Sequence, residues 1–430
     1  MKKIWFPFSQ EAVEGERINI VKGRDEFLWD DSGKRYVDLI SSWWVNAHGH
    51  CNEYIVEKIR NQAEKLDHVM FSDFGHNQAV DFSEKLDRST NGDFAKFFYS
   101  DNGSTATEIA IKIAKQYFIN KGFKDKSKII SFQGGYHGDT LGSMSIGRES
   151  GFFGHFKDWM PDFEFISYPS TFDDDLNSEE KERKSLNELK SVIKKNKDKI
   201  CGIIIEPLMQ GAAGMKMSSV GFMNKVLEIC KNNEILVIFD EVMTGFFRTG
   251  KMFAYQNLGQ SPDILCLSKG ITGGVLPLAA TCVKGFIYEA FVSVLIDKTF
   301  LHGHSYTANP IAMAAANASM DLFERNDYTS NIGSIQNIYN DLRLELASRK
   351  YAKEFRMLGS IFAFSIDGNS SYGSSLSREL KYEFLRNGLN LRPIGSNVYI
   401  LPPYSINLNV LKESCGIMLD ILDKFFVINN

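Results

Sequence analysis

Four short apolar runs constrain this chain more than any other feature. They are Cys201–Glu206 (CGIIIE), Ile235–Phe239 (ILVIF), Ile264–Leu267 (ILCL) and Leu278–Val283 (LAATCV). None alternates polar with apolar residues, as a strand with one wet face would. Unbroken runs of this kind are strands buried on both faces, which is the arrangement of a parallel sheet covered by helices on both sides. Helical patterns fall between them. Ala106, Ile109, Ala110, Ile113, Ala114 and Tyr117 recur at helical spacing over 106–118, and a second helix is expected over about 219–232. With Phe97–Tyr99 and Lys128–Phe132 as further strands, residues 50–310 read as one large α/β domain.

The two ends differ from this middle. Pro310 to Leu322 reads as an Ala- and Met-rich helix, and a longer helix of mixed polarity follows over about 331–350. Ile361–Ile366 and Asn397–Leu401 read as strands, with a helix near 376–387. Before residue 50, Phe27 to Val37 has the look of a hairpin. Residues 1–49 and 311–430 are therefore expected to build a smaller α+β domain together, since chain ends often lie close in space. The charge-rich stretch Asp173 to Lys199 reads as a surface loop running into a solvated helix, with Leu186, Leu189 and Ile193 on its inner face.

Composition narrows the function classes. The 49 Lys and Arg against 53 Asp and Glu leave a net charge of −4, which argues against a strongly basic nucleic-acid binder. No apolar run reaches the roughly 18 residues that a membrane span needs, and the N-terminus lacks the apolar core of a signal peptide. The six cysteines are scattered without a CxxC, as expected of reduced thiols in a cytoplasmic protein. No internal repeat is evident. The clusters His48-Gly49-His50-Cys51 and His302-Gly303-His304 have no partner cluster at metal-site spacing, so no metal is expected.

Chemistry concentrates at strand ends. Asp240 closes the Ile235–Phe239 run and Lys269 follows the Ile264–Leu267 run. In an open parallel sheet, ligands bind beyond the carboxyl ends of the strands. An acid there is either a ligand contact or a cap for the next element, and a lone lysine is ordinarily solvated. Together on one face they suit pyridoxal phosphate. The lysine amine would condense with the cofactor's aldehyde, and the aspartate would pair with its pyridine nitrogen and make the ring an electron sink. The phosphate needs a cradle, and Ser100-Asp101-Asn102-Gly103-Ser104-Thr105 lies between a strand and a helix. Gly103 and Ser104 at a helix N-terminus would offer free N–H groups, and Thr105 with Glu108 has the spacing of a capping box. In Gly134-Gly135-Tyr136-His137-Gly138, Tyr136 is either a packed turn residue or a ring that stacks on a flat cofactor.

At this point a resemblance is evident. FDEVMTGFFRTG, from Phe239, with PDILCLSKGITGG, ending at Gly274, is similar to the pyridoxal-phosphate signature of the class-III (ω-type) aminotransferases. Ser41-Ser42-Trp43-Trp44, Asn46-Ala47-His48-Gly49-His50, Gly135-Tyr136-His137-Gly138-Asp139-Thr140, Leu391-Arg392-Pro393 and Val398 to Tyr404 resemble the branch that serves biotin biosynthesis. That branch aminates 8-amino-7-oxononanoate to 7,8-diaminononanoate with S-adenosyl-L-methionine as donor. The matches run from Ile4-Trp5 to Tyr404.

The resemblance implies fold type I and a cytoplasmic homodimer with active sites at the subunit interface. It implies that Lys269 holds the cofactor and shuttles the proton, that Asp240 binds the pyridine nitrogen, and that Gly103 and Ser104 hold the phosphate. His304 and Ser305 would join them from the neighbouring subunit. Tyr136 would stack on the ring and line the substrate channel. Trp43, Gly303 and Arg392 would contact substrate, with Arg392 receiving the carboxylate, which suits its bidentate fork. Tyr399 would line that pocket and Arg248 would add a second polar contact. Three departures stand out. Phe8 replaces a tyrosine that helps recognise substrate, the segment His302-Gly303-His304-Ser305-Tyr306-Thr307 differs from the usual Pro-Thr pair, and Phe247 replaces a Gly of the usual TGFGRTG. The first two also look like relatives that use L-lysine as donor. Other ω-amine aminotransferases, an aminomutase or racemase, and a catalytically silent binding protein are the remaining alternatives. The last would be expected to lack Lys269 or Asp240, and both are present.

Overall fold

The computed structural model describes residues 3–15, 17–368 and 371–428. They form two compact units, Met1–Asn52 with Ser330–Asn430, and Glu53–Thr329.

The larger unit is built on a seven-stranded sheet. Its strands are β1 (Lys96–Ser100), β2 (Lys128–Phe132), β3 (Glu164–Ile166), β4 (Ile200–Ile205), β5 (Leu236–Asp240), β6 (Ile264–Leu267) and β7 (Ala279–Val283). They lie in the order β1-β7-β6-β5-β4-β2-β3. All run parallel except β7, which pairs antiparallel with both β6 and β1. Apolar continuity signals burial on both faces, not direction, so β7 reads in sequence like its parallel neighbours. Helix α1 (Gly103–Asn120) packs one face of the sheet. Its Ala106, Ile109, Ala110, Ile113, Ala114 and Tyr117 join Cys201, Ile204, Leu236, Ile238, Ile264 and Cys266 in one core. Helix α2 (Val220–Asn232) is capped by Ser219, which accepts the Phe222 N–H, and it buries Phe222, Met223, Val226 and Leu227. The charge-rich stretch folds as the helix Ser178–Lys195 with Leu186, Leu189 and Ile193 buried.

Helix α3 (Pro310–Arg325) starts with proline at its first turn and with Asn309 accepting the Ile311 and Ala312 N–H groups. Ala315 and Ala318 pack against Ile55, and Lys85 and Tyr54 both reach Asp321. Those contacts tie α3 to the larger unit, so the compact units divide at 52/53 and 329/330, not at 49/50 and 310/311. Among the described residues no helix is long and apolar enough to cross a membrane.

The smaller unit holds two sheets. The hairpin Phe27–Asp30 with Arg35–Asp38 pairs with Ile20–Arg24 on one side and with Leu389–Asn390 on the other, so the two chain ends share one sheet. Ala352–Leu358, Ile361–Ile366 and Asn397–Ile400 form the second sheet. Tyr339, on the helix Tyr328–Ala347, stacks on Phe362 at 5.3 Å and donates its hydroxyl to the Ser360 carbonyl.

Candidate active site

The carboxyl ends of five parallel strands open on one edge of the larger unit's sheet, and each delivers a polar group there. β5 ends at Asp240, β6 is followed by Ser268 and Lys269, β1 leads into Gly103, β2 leads into the Gly134–Gly138 turn, and β4 is followed by Glu206.

Asp240 is buried. Its Oδ2 lies 2.7 Å from His137 Nδ1, and its Oδ1 accepts the Val242 N–H at 3.1 Å. The capping reading of this acid holds: its Oδ1 caps the turn that follows, while its Oδ2 is directed by a histidine. His137 is 3% exposed, and its Nε2 is buried without a hydrogen-bond partner among the described residues. In sequence the aromatic Tyr136 marks this loop, and nothing there singles out His137. Strand-end position, the signal that marks Asp240, also marks Glu206.

Lys269 begins a short 3-10 turn with φ of 47°. Burial lowers the pKa of its amine from the usual lysine range, and the Arg248 guanidinium adds to that effect. The charges of Asp240 and Glu206 oppose it.

Gly103 and Ser104 open α1. Asn102 caps the helix by accepting the Thr105 N–H at 3.0 Å, while the Thr105 hydroxyl accepts the Asn102 N–H. The capping box is thus Asn102 with Thr105, one turn earlier than Thr105 with Glu108. Glu108 instead accepts the Thr140 hydroxyl at 2.7 Å and the Ser143 N–H at 2.9 Å, which fixes the loop across the helix. A Cβ on Gly103 would meet Val242 Cγ1 at 2.7 Å, and a Cβ on Gly138 would meet Ser104 Oγ at 2.1 Å. Glycine lets the helix terminus and the Gly134–Gly138 turn approach this closely. Ser104 Oγ accepts the Asp139 N–H at 2.9 Å. Tyr136 is immobilised: its hydroxyl donates to Asp139 at 2.8 Å and its ring stacks on Phe153 at 5.9 Å.

Glu206 accepts the Tyr136 N–H at 3.1 Å and the Gly211 N–H at 2.9 Å. Burial pushes its carboxyl up to about 7, against the opposing influence of His137. Its usual value of 4.5 applies to the unfolded chain. A raised carboxyl favours the folded state while protonated. Its contribution is complete below pH 4.5 and is lost as pH rises through about 7. At about 1.4 kcal/mol per pKa unit, unfolding free energy should fall by about 3 kcal/mol between pH 4.5 and 8 on this account. Urea titrations near pH 5 and pH 8 measure it. Glu206→Gln should flatten the fall by that amount, and an unchanged fall in the variant would remove Glu206 as its source.

Arg248 is 2% exposed, in a loop closed by Glu241, which accepts the Ala254 and Tyr255 N–H groups at 2.5 and 2.8 Å. Phe247 adopts φ of 69°, the left-handed region that a glycine occupies freely. Its ring lies against Phe323 and Tyr328 at 5.6 and 6.3 Å, an anchorage that a glycine would lack. Gly303 and Ser305 are exposed. His304 Nδ1 accepts the Tyr306 N–H at 3.2 Å, and its Nε2 is buried without a partner among the described residues. His302 pairs with Lys112 at 2.9 Å, where burial and that cation lower its pKa.

Trp43, Arg392, Tyr399 and Phe8 all lie in the smaller unit. Ser41, Ser42 and Trp44 have φ of 50°, 60° and 66°. Strain of this size persists only where neighbours over-determine it. Here Asp38, fully buried, accepts the Ser42 N–H on both oxygens at 2.9 and 2.7 Å, and Ser41 Oγ donates to the Leu401 carbonyl at 2.8 Å. The result is an outward Trp43, 41% exposed, beside a buried Trp44 whose Nε1 donates to Tyr399 Oη at 3.1 Å. Tyr399 is itself buried, and burial raises its phenol to about 12. Asp38 also takes His50 Nε2 at 2.8 Å, which gives the first histidine cluster a carboxylate partner.

These residues fit pyridoxal phosphate. Lys269 is a buried amine of lowered pKa, Asp240 is a buried carboxylate held on both oxygens, and the Gly103 and Ser104 N–H groups at the start of an 18-residue helix have no partner among the described residues. The unpartnered Nε2 of His304 is a further donor suited to a phosphate oxygen.

Comparison with known proteins places this arrangement among relatives. The family model described as aminotransferase class-III matches residues 9–422. The chain is 38% identical over 422 residues to adenosylmethionine-8-amino-7-oxononanoate aminotransferase of Synechococcus elongatus, covering 98% of each protein. It is 37% identical to the protein of the same name from Helicobacter pylori, over 99% of this chain and 97% of that one. A crystal structure of the Methanocaldococcus jannaschii protein of that name superposes with a TM-score of 0.92 at 34% identity, covering 98% and 97% of the chains. A PLP-bound amine transaminase from an uncultivated Pseudomonas species superposes at 0.87 with 26% identity, covering 98% of each chain.

Proposed function

The chain belongs to the class-III aminotransferases, which are pyridoxal-phosphate enzymes of fold type I, and on that premise we propose that it transfers the amino group of S-adenosyl-L-methionine to 8-amino-7-oxononanoate, giving 7,8-diaminononanoate for biotin synthesis. The observation that carries the choice of reaction is near full-length similarity to proteins named for it.

When bound, pyridoxal phosphate supplies an electrophilic carbon for amines and a conjugated ring that holds the electron pair released at the amine-bearing carbon. The chain's residues do the rest. Lys269 Nζ, with its pKa lowered by burial, is the base that would take the proton from the donor's amine-bearing carbon and deliver it to the carbon that carries the cofactor's aldehyde. Asp240 would pair with the pyridine nitrogen, and His137, 2.7 Å from its Oδ2, would keep that carboxylate aimed. The Gly103 and Ser104 N–H groups and the α1 dipole hold the phosphate. Tyr136, fixed by Asp139 and Phe153, would wall the ring and the substrate channel. Arg392, with Trp43 beside it, would take the acceptor's carboxylate, and Tyr399 and Arg248 keep the substrate contacts that the resemblance implies. The amine is first parked on the enzyme and then handed to the keto acid, so the two substrates follow one another through one site.

The same reading makes the protein a cytoplasmic homodimer, with His304 and Ser305 completing the neighbour's phosphate site. The exposed Val294, Leu295, Ile296, Leu301 and Tyr306, on the segment around His304, suit burial by a second copy.

Half-reactions test the proposal. Adenosylmethionine, added alone to the cofactor-loaded enzyme, should convert the yellow absorbance band to the aminated cofactor's, and 8-amino-7-oxononanoate should reverse it. Conversion by L-lysine alone would reassign the donor and make Phe8 and His304-Ser305 its determinants. If no donor bleaches the band and the keto acid cannot restore it, the biotin assignment fails.

A further inference from the structure

Three remote segments of the smaller unit converge on one guanidinium. Arg392 Cζ lies 5.1 Å from the Trp43 ring centroid and 5.6 Å from that of Tyr372. Its Nη2 donates to the Tyr372 hydroxyl and, at 3.3 Å, to the Phe8 carbonyl. The Tyr372 hydroxyl donates to that same carbonyl at 3.3 Å. The Phe8 ring closes the frame edge-on, 5.6 Å from Trp43 and 6.4 Å from Tyr372. Among the described residues Nη2 is the only Arg392 nitrogen with a hydrogen-bond partner, and no carboxylate pairs with the residue.

We propose that Tyr372 is a positioning residue for the acceptor: by occupying Nη2 it fixes the Arg392 plane so that the Nη1 N–H groups, without partners among the described residues, meet the carboxylate. The inference rests on the reading of Arg392 given above. An arginine that is disordered before binding must lose its rotamer freedom when the substrate arrives. Here that ordering is built in. One end of the fork is saturated by neutral oxygens, which hold it without cancelling its charge. Two aromatic faces set its plane, and cation–π attraction to both favours the charged side chain. Tyr372 lies between the strand Ile361–Ile366 and the helix Ser375–Arg386, outside every motif of the sequence reading. Contact in the folded chain is what singles it out.

The two substrates place their carboxylates differently. In 8-amino-7-oxononanoate the group ends an alkyl chain far from the reacting carbonyl. In adenosylmethionine it is attached to the reacting carbon. A fork set for the first should be indifferent to the second. Tyr372→Phe is therefore expected to raise the KM for the keto acid about tenfold, the loss of one hydrogen bond to a charged group, with kcat little changed and the donor half-reaction within twofold of wild type. Tyr372→Leu, which also removes the ring, should raise it further. The methyl ester of the keto acid should discriminate poorly between wild type and Tyr372→Phe. An unchanged KM for the acid, or equal losses in both half-reactions, would overturn the inference. Arg392→Ala separates the layers. If it leaves the keto-acid KM alone, the reading of Arg392 itself fails. If it raises KM while Tyr372→Phe does not, only the role of Tyr372 is lost.

Discussion

Replacing Lys269 with alanine is expected to cut turnover by about 10⁴-fold, the upper range for removing a positioned proton-transfer group, while leaving the fold standing. The second half of that expectation is as specific as the first. Most large truncations inside a protein leave a cavity and destabilise. The Lys269 amine instead lies where burial disfavours its charged form, so its removal relieves a desolvation cost. The backbone there keeps its φ of 47° whichever of the two side chains it carries. Two measurements separate the roles. After borohydride reduction in the presence of pyridoxal phosphate, wild-type chain should gain the cofactor's mass and the variant should not. In single-turnover mixing, the variant should show no proton transfer at the donor carbon. A Lys269→Ala protein that retains more than about a hundredth of wild-type turnover would put the proton transfer on another group.

The parts of this site that sequence conveys are those whose chemistry depends on the end of a buried strand. Asp240 and Lys269 follow unbroken apolar runs, so position and residue type point to the same face of the sheet. Glu206 obeys the same rule, but strand-end position alone does not tell a structural acid from a functional one. What separates them is burial and partners: Glu206 faces backbone N–H groups and lies near His137, which is a fact of packing. His137 was hidden by its neighbour, since an aromatic in a glycine-rich loop draws the eye before a histidine that turns inward. Asp38 had no signal at all. It ends a hairpin strand in the ordinary position of a solvated acid, and only the folded chain brings Ser42, His50 and Asn390 to it. Tyr372 is the extreme case, because its partners lie 364 and 20 residues away. The direction of β7 was likewise invisible, since an antiparallel strand buried on both faces has the same composition as a parallel one. Hydrophobic pattern reports burial, strand-end chemistry reports the open edge, and neither reports which distant side chains meet.

Asp240→Asn carries the second large effect. The change is isosteric and removes one negative charge from a buried site. If the carboxylate faces the pyridine nitrogen, it holds that nitrogen protonated, and the ring's capacity to accept electrons depends on that proton. An amide cannot hold it by charge. A preorganised electrostatic partner of this kind contributes about 10²–10³-fold to rate, so kcat is expected to fall by about 10³-fold. Substrate KM values should change far less, because the charge acts when electrons move, not when substrate binds. The histidine offers an internal check. His137 Nδ1 lies 2.7 Å from Asp240 Oδ2 and touches neither ring nor substrate in this reading. His137→Asn should therefore cost about ten- to a hundredfold, acting only through the aspartate. In the double variant the two losses should not add, because aim is worthless once the charge has gone. Steady-state rates of the four proteins decide it. Additive losses would mean that His137 acts on the cofactor independently, and an Asp240→Asn enzyme within tenfold of wild type would leave the pyridine nitrogen without the partner assigned to it.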